Sequence, residues 1–131
     1  MNNTKQTDIL VIGSGLAGAI AAISAADEGK NVIIITKSPL LKGGNTPNAQ
    51  GGIVYTGETD SPAKLKQDII KAGDDHCWDG AVDLICKEGP RLVKKILIDR
   101  FHVEFDRVKS GGKSDDLCRT KEAAHSESRI I

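Results

Sequence analysis

Aromatic side chains are scarce in this 131-residue chain, which has one Trp, one Tyr and two Phe. Single-stranded nucleic acids are held on stacking platforms of such rings, so that mode of binding is excluded. An excess of charge of one sign is missing too. The 18 Lys and Arg balance the 18 Asp and Glu, and no field draws the chain to nucleic acid or to an anionic membrane. Cys77, Cys86 and Cys118 form no Cys-x-x-Cys pair, which argues against a zinc ribbon or a dithiol redox centre. Their odd number, with no signal-like segment ahead of Asp8, suits a reducing cytoplasm. No apolar run is long enough to cross a bilayer. The expected partners therefore include neither nucleic acid nor membrane, and a chain of this size buries roughly two-thirds of its unfolded surface on folding.

What the chain does have is glycine in an ordered context. Ile9-Leu10-Val11-Ile12 reads as a buried strand, and Gly13-Ser14-Gly15-Leu16-Ala17-Gly18 follows it directly. Ala19-Ile20-Ala21-Ala22-Ile23 then opens a helix. A strand, a tight glycine turn and a helix in this order make a diphosphate cradle. Gly13 permits the sharp turn. Gly15 lets phosphate oxygens approach the backbone. Gly18 lets the helix lie against the strand. The amides and dipole at the helix start attract the anion.

The helix is expected to run from Gly15 to about Glu28 and to end at Gly29, a C-terminal glycine cap. Asn31–Thr36 reads as the second strand, parallel to the first through a right-handed crossover. The segment from Lys37 to Gly52 is a long connection, of the kind that is functional or disordered inside a compact domain. Ile53-Val54-Tyr55 is a candidate short strand. Ser61 and Pro62 cap a helix that carries Leu65 and Ile69 on one face and ends near Gly73. A further helix follows Asp79, with Val82 and Ile85 on one side. Gly89-Pro90 reads as a break before another helix carrying Leu92, Val93, Ile96 and Leu97, a stripe that reads as core. Val103–Phe105 is a candidate edge strand, and Ser110–Lys113 a turn. The fold class is α/β: a Rossmann-like βαβ unit followed by helices.

The end of the second strand commonly carries an acid that binds the adenosine ribose. Here Thr36 and Lys37 stand there. Thr36 offers the ribose a hydroxyl, and Lys37 suits a phosphate, so FAD and NADP both remain open on spacing alone. The loop Gly43-Gly44-Asn45-Thr46-Pro47-Asn48-Ala49-Gln50-Gly51-Gly52-Ile53 has glycine pairs flanking polar residues. Its backbone can lie flat against a planar ring system, which favours a flavin; the plainer reading is a flexible surface loop.

These residues resemble the succinate dehydrogenase/fumarate reductase flavoprotein family. The likeness rests on the glycine turn, Lys37, Asn45-Thr46 and Ala49-Gln50-Gly51-Gly52-Ile53. It continues through Asp68 with Ala72-Gly73, Ala81-Val82, Gly89-Pro90 and Phe105-Asp106, to Arg119-Thr120-Lys121-Glu122, His125-Ser126 and Arg129-Ile130. The resemblance implies that Ser14, Gly15, Leu16 and Ala17 line the pyrophosphate of FAD. It puts Thr36 and Lys37 at the adenosine end, and Asn45, Thr46, Ala49, Gln50, Gly51 and Gly52 beside the flavin. Where covalent members carry a histidine, this chain has Asn45, which implies non-covalent FAD. Members often have paired glycines before His-Ser, and here Ala123-Ala124 stand instead.

Family members are far longer, so residues 1–131 read as the N-terminal part of an FAD-binding domain without the capping and C-terminal domains. The resemblance thus implies an oxidoreductase of small dicarboxylates whose catalytic residues lie elsewhere. No residue of this chain is assigned to catalysis or to a metal. His125 has two readings, one near the flavin and one as a structural histidine at a helix start. His76 reads as part of a solvated turn and His102 as a partly buried structural residue. The alternatives are a non-catalytic remnant and an NADP-binding domain.

Overall fold

Four apolar residues, Ile9–Ile12, form strand β1, and Val32–Ile35 form strand β2. The computed structural model describes residues 4–39, 42–49, 51–57, 59–108 and 117–131. The strands pair in parallel, with Ile9 opposite Val32 and Ile12 opposite Ile35. Helix α1, Leu16–Asp27, joins them. Asp8 fixes the register at the open end: its carboxylate accepts from the Asn31 amide at 2.8 Å. Gly29 closes α1 with a positive φ of 75°, the left-handed turn that glycine adopts without a Cβ penalty.

These elements belong to the first of two compact units, Met1–Gly51 and Gly52–Ile131. In the first, α1 covers one face of the strands, with Ala22 buried. Among the described residues of this unit no element covers the other face, and Leu10 is 53% and Ile12 80% exposed. The apolar run therefore makes the expected strand but not a buried one, because one helix can cover only one face of a two-stranded sheet.

In the second unit α2 spans Pro62–Ala72, and the Ser61 hydroxyl caps it by accepting from the Lys64 amide. Leu65 and Ile69 pack with Val82 and Cys86 of α3, which spans Asp79–Leu92. The buried stripe of α3 continues Val82, Cys86, Pro90 and Val93. Ile85, expected beside Val82, is 57% exposed, since three residues turn the helix through roughly 300° and four bring it nearer to full turns.

Gly89-Pro90 does not break the chain into two helices. α3 runs through Pro90 to Leu92 and continues as a wider, π-helical stretch over Val93–Arg100. A proline removes one intrahelical donor and crowds the carbonyl four residues back; widening the following turns is one way a helix absorbs such a defect. Val103–Phe105 forms no strand; Phe105 instead packs on the core of Tyr55, Val93 and Leu117. The expected turn at Ser110–Lys113 lies outside the described residues. Val54 does pair, antiparallel to Ile130, and Ile130 also pairs with Thr120. Gly52 is held against this ribbon so closely that a Cβ there would lie 2.3 Å from Ile130 Cγ2.

The ribbon is fixed by one buried cation. Arg129 is fully buried. Its Nε and Nη2 donate to the two oxygens of Asp60 at 2.7 and 2.8 Å, and its Nη1 donates to Asp68 Oδ2 at 2.6 Å. The same Asp68 oxygen accepts from the Ser126 amide and hydroxyl. Burial opposes ionisation of Asp68, but the Ser126 amide, the Ser126 hydroxyl and Arg129 together outweigh it and hold its pKa at about 2. A depressed carboxylate stabilises the fold above its unfolded pKa and loses that contribution as pH falls through the folded one. The urea midpoint should therefore drop as pH falls from about 4 to about 2, and Asp68→Asn should flatten that drop. Arg129→Leu, which leaves Asp60 and Asp68 uncompensated, should cost about 3–5 kcal/mol in the same urea experiment.

Candidate functional site

At the carboxyl ends of β1 and β2 the first unit has a cleft of about 510 Å³, within the size range of small-molecule sites. Its walls are the glycine turn Gly13–Gly15, the end of β2 through Ser38, and Gly43-Gly44. Ligands of open parallel sheets bind at this end of the strands.

The three glycines of the turn have three distinct causes. Gly13 has a φ of 108°, which side-chain-bearing residues rarely adopt. A Cβ at Gly18 would stand 2.2 Å from the Gly13 carbonyl oxygen, so its absence lets α1 lie on β1. At Gly15 the protein itself demands nothing. Its φ of −70° suits any residue, and a Cβ would meet only Thr46 Oγ1 at an ordinary 3.4 Å. A glycine at 15 leaves the backbone there open to close approach by a ligand.

Around this turn the polar groups are ordered. The Leu16 amide, first in α1, donates to Thr46 Oγ1 at 3.1 Å. That bond ties the loop to the helix start, and Thr46 opens a short 3-10 turn, Thr46–Asn48. The Ser14 hydroxyl donates to Thr36 Oγ1 at 3.3 Å, joining the turn to the end of β2. The first turn of α1 carries no acid, so nothing in that turn competes with an anion for the helix dipole. Lys37 lines the cleft beside Thr36.

Sequence reasoning missed Ser38. Its hydroxyl is shut off from water without a hydrogen-bond partner, and it fills the space that a side chain at Gly43 would need. Its position directly after Lys37 on the same rim was the available signal.

The structure brings together Gly13, Ser14, Gly15, Thr36 and Lys37 around one cleft, with Leu16, Ala17 and Gly18 opening α1 beside it. Thr46 is joined to that helix start. Asn45 and Ala49 are exposed loop residues flanking the 3-10 turn. Gln50 lies outside the described residues. Gly51 ends the first unit and Gly52 begins the second.

None of the three histidines joins the cleft residues. His76 Nδ1 lies 2.7 Å from the Asp74 carbonyl in a turn. His102 is exposed rather than partly buried, on left-handed backbone with φ 52°. His125 starts no helix. Its Nδ1 lies 3.1 Å from Arg129 Nη1, and because a guanidinium only donates, Nδ1 accepts. Ala123, the first of the two residues before His125-Ser126, has a φ of 48°, left-handed backbone that suits glycine and costs a side-chain-bearing residue about 1–2 kcal/mol.

A dinucleotide-binding βαβ unit of the flavoprotein type is the class that this fold and cleft define. The family model described as "FAD binding domain" matches residues 8–131. The chain belongs to this family, and FAD is its cofactor. It is 41% identical over 131 residues to the L-aspartate oxidase of Halobacterium salinarum, covering 100% of this chain and 24% of that protein. Against the L-aspartate oxidase of Streptomyces coelicolor it is 36% identical, covering 94% of this chain and 20% of that one. The succinate dehydrogenase flavoprotein subunit of Bacillus subtilis is 37% identical over 111 residues, 82% of this chain and 18% of that subunit. Among solved structures, the Mycobacterium smegmatis Sdh1 complex in the apo form superposes with a TM-score of 0.80 at 27% identity, over 95% of this chain and 20% of that one. The chain thus spans about a quarter or less of the relatives it matches.

The residues present fit FAD on the structure's own terms. A Cβ at Gly15 would meet the Thr46 hydroxyl and no backbone, the Ser38 hydroxyl has no hydrogen-bond partner among the described residues, and the first turn of α1 carries no acid. Gly15→Ala should leave the urea midpoint within about 0.5 kcal/mol of the parent while weakening FAD binding about tenfold or more. Gly18→Ala should cost about 1–3 kcal/mol of stability by overpacking.

Proposed function

We propose that this chain carries the FAD-binding portion of an L-aspartate oxidase, an enzyme that converts L-aspartate to iminoaspartate with oxygen or fumarate as acceptor and feeds NAD synthesis in the cytoplasm. The observation that carries this reading is the 41% identity to an L-aspartate oxidase across all 131 residues. Bound non-covalently, FAD supplies the two-electron oxidation of the substrate carbon, and the protein supplies position and electrostatics. In this reading Ser14, Gly15, Leu16 and Ala17 hold the diphosphate against the start of α1. Thr36 and Lys37 meet the adenosine end, and Asn45 to Gly52 orient the ring system. The small dicarboxylate is bound by parts of the relatives that this chain does not span, so acid–base roles are assigned to no residue here.

A soluble fumarate reductase or succinate dehydrogenase-like flavoprotein is the second reading, favoured by the 37% identity to the Bacillus subtilis subunit. A non-catalytic remnant is the third. The purified chain should quench the fluorescence of added FAD and shift its absorbance, and it should release no hydrogen peroxide from L-aspartate. Unchanged flavin spectra would overturn the cofactor role of this chain, and peroxide release would overturn the assignment of catalysis to other parts.

A further inference from the structure

A backbone amide has one proton. That of Leu16 is the first in α1, where a diphosphate on the glycine turn would be held, and it already has an acceptor: Thr46 Oγ1, 3.1 Å away. The contact acts as a helix cap supplied from a distance. Gly15 is the N-cap of α1 and has no side chain to cap it with, so a hydroxyl 30 residues further along does what an N-cap serine or threonine ordinarily does. The same hydroxyl lies over Gly15, where a Cβ would stand 3.4 Å from it. One oxygen of the protein thus takes both the donor and the space that a diphosphate oxygen would need. Among the described residues, it is also the one hydrogen bond from residues 44–49 to any other part of the chain. The other bonds of that stretch are internal: Asn48 donates to the Asn45 and Gly44 carbonyls, and the Ala49 amide to the Thr46 carbonyl. Breaking a single bond therefore frees the Thr46–Asn48 turn from α1 without unfolding it.

We propose that the Thr46 hydroxyl is an exchangeable cap that competes with the nucleotide for the start of α1. It holds the Leu16 amide until a diphosphate oxygen displaces it, and the Thr46–Asn48 turn leaves the helix as the nucleotide binds. The inference rests on the diphosphate reading of the glycine turn and adds to it a competitor from within the chain. The Leu16 amide has an acceptor before and after the exchange, so no donor at the helix start is orphaned in either state. The nucleotide must outcompete one cap, which lowers its affinity a few-fold and couples its binding to release of the loop. Only a ligand with phosphates takes part, since adenosine alone brings no anionic oxygen to the helix start.

Hydrogen exchange and NMR titration of the full ¹⁵N-labelled chain separate the cap from the competition. Without nucleotide, Thr46→Ala should speed exchange of the Leu16 amide about fivefold. ADP carries the diphosphate but no flavin ring, so contacts between the loop and the ring drop out of its affinity. ADP should bind Thr46→Ala about three- to fivefold more tightly than the parent, and adenosine should bind the two alike. Thr46→Ser keeps the hydroxyl and should return both the exchange rate and the ADP affinity to those of the parent. In the parent, ADP should shift the Thr46 amide along with that of Leu16.

Weaker ADP binding by Thr46→Ala would overturn the exchange, because the hydroxyl would then be a contact to the ligand and not its competitor. Unchanged ADP affinity, with Leu16 exchange accelerated, would also overturn it and leave the diphosphate reading standing. A gain shared equally by adenosine would overturn it, since the phosphates would then play no part. Absence of binding by both ADP and FAD would defeat the exchange and the diphosphate reading together.

Discussion

The candidate site depends on how closely helix α1 approaches strand β1. Where they meet, Gly18 lies over the Gly13 carbonyl, with no room for even a methyl group between them. That approach fixes the helix start relative to the strand end, where the cleft lies. Two further bonds hold the frame: Leu16 to Thr46 on the loop side and Ser14 to Thr36 on the β2 side. With helix, loop and second strand pinned to one turn, an anion bound there in the proposed reading would find the helix dipole in a fixed position, at little further cost of ordering.

The second unit has a different organising principle. Arg129 is remote in sequence from Asp60 and Asp68, yet the three form one buried ionic cluster that also captures Ser126 and touches His125. Asp68, His125-Ser126 and Arg129 are among the residues on which the family resemblance rests. Their joint arrangement gives them a structural reason: they close the chain's last residues onto α2 and onto Val54. Gly52 belongs in the same account, since the Ile130–Ile131 ribbon leaves its backbone no space for a side chain. Part of the resemblance therefore records how this unit folds.

Local signals were legible in the sequence. The strand, glycine turn and helix of the first unit, the Ser61 cap and the pairing of Leu65 with Ile69 follow from neighbours a few residues apart, and the structure has each of them. The failures involve information that spacing does not hold. Whether β1 is buried depends on what covers its second face. Pro90 reads as a break until the helix is seen to widen after it. His125 reads as the start of a helix because its partner, Arg129, is seen only once Asp60 and Asp68 have drawn that residue inward. The unused Ser38 hydroxyl is invisible without knowing that Gly43 folds back over it.

The most direct test of the central claim is a backbone amide map of the ¹⁵N-labelled chain titrated with FAD. Amides gripping a diphosphate should move most, so the account predicts the largest shifts at Ser14, Gly15, Leu16 and Ala17. Binding of FAD with those four amides unmoved, and the shifts confined to residues 52–131, would contradict it.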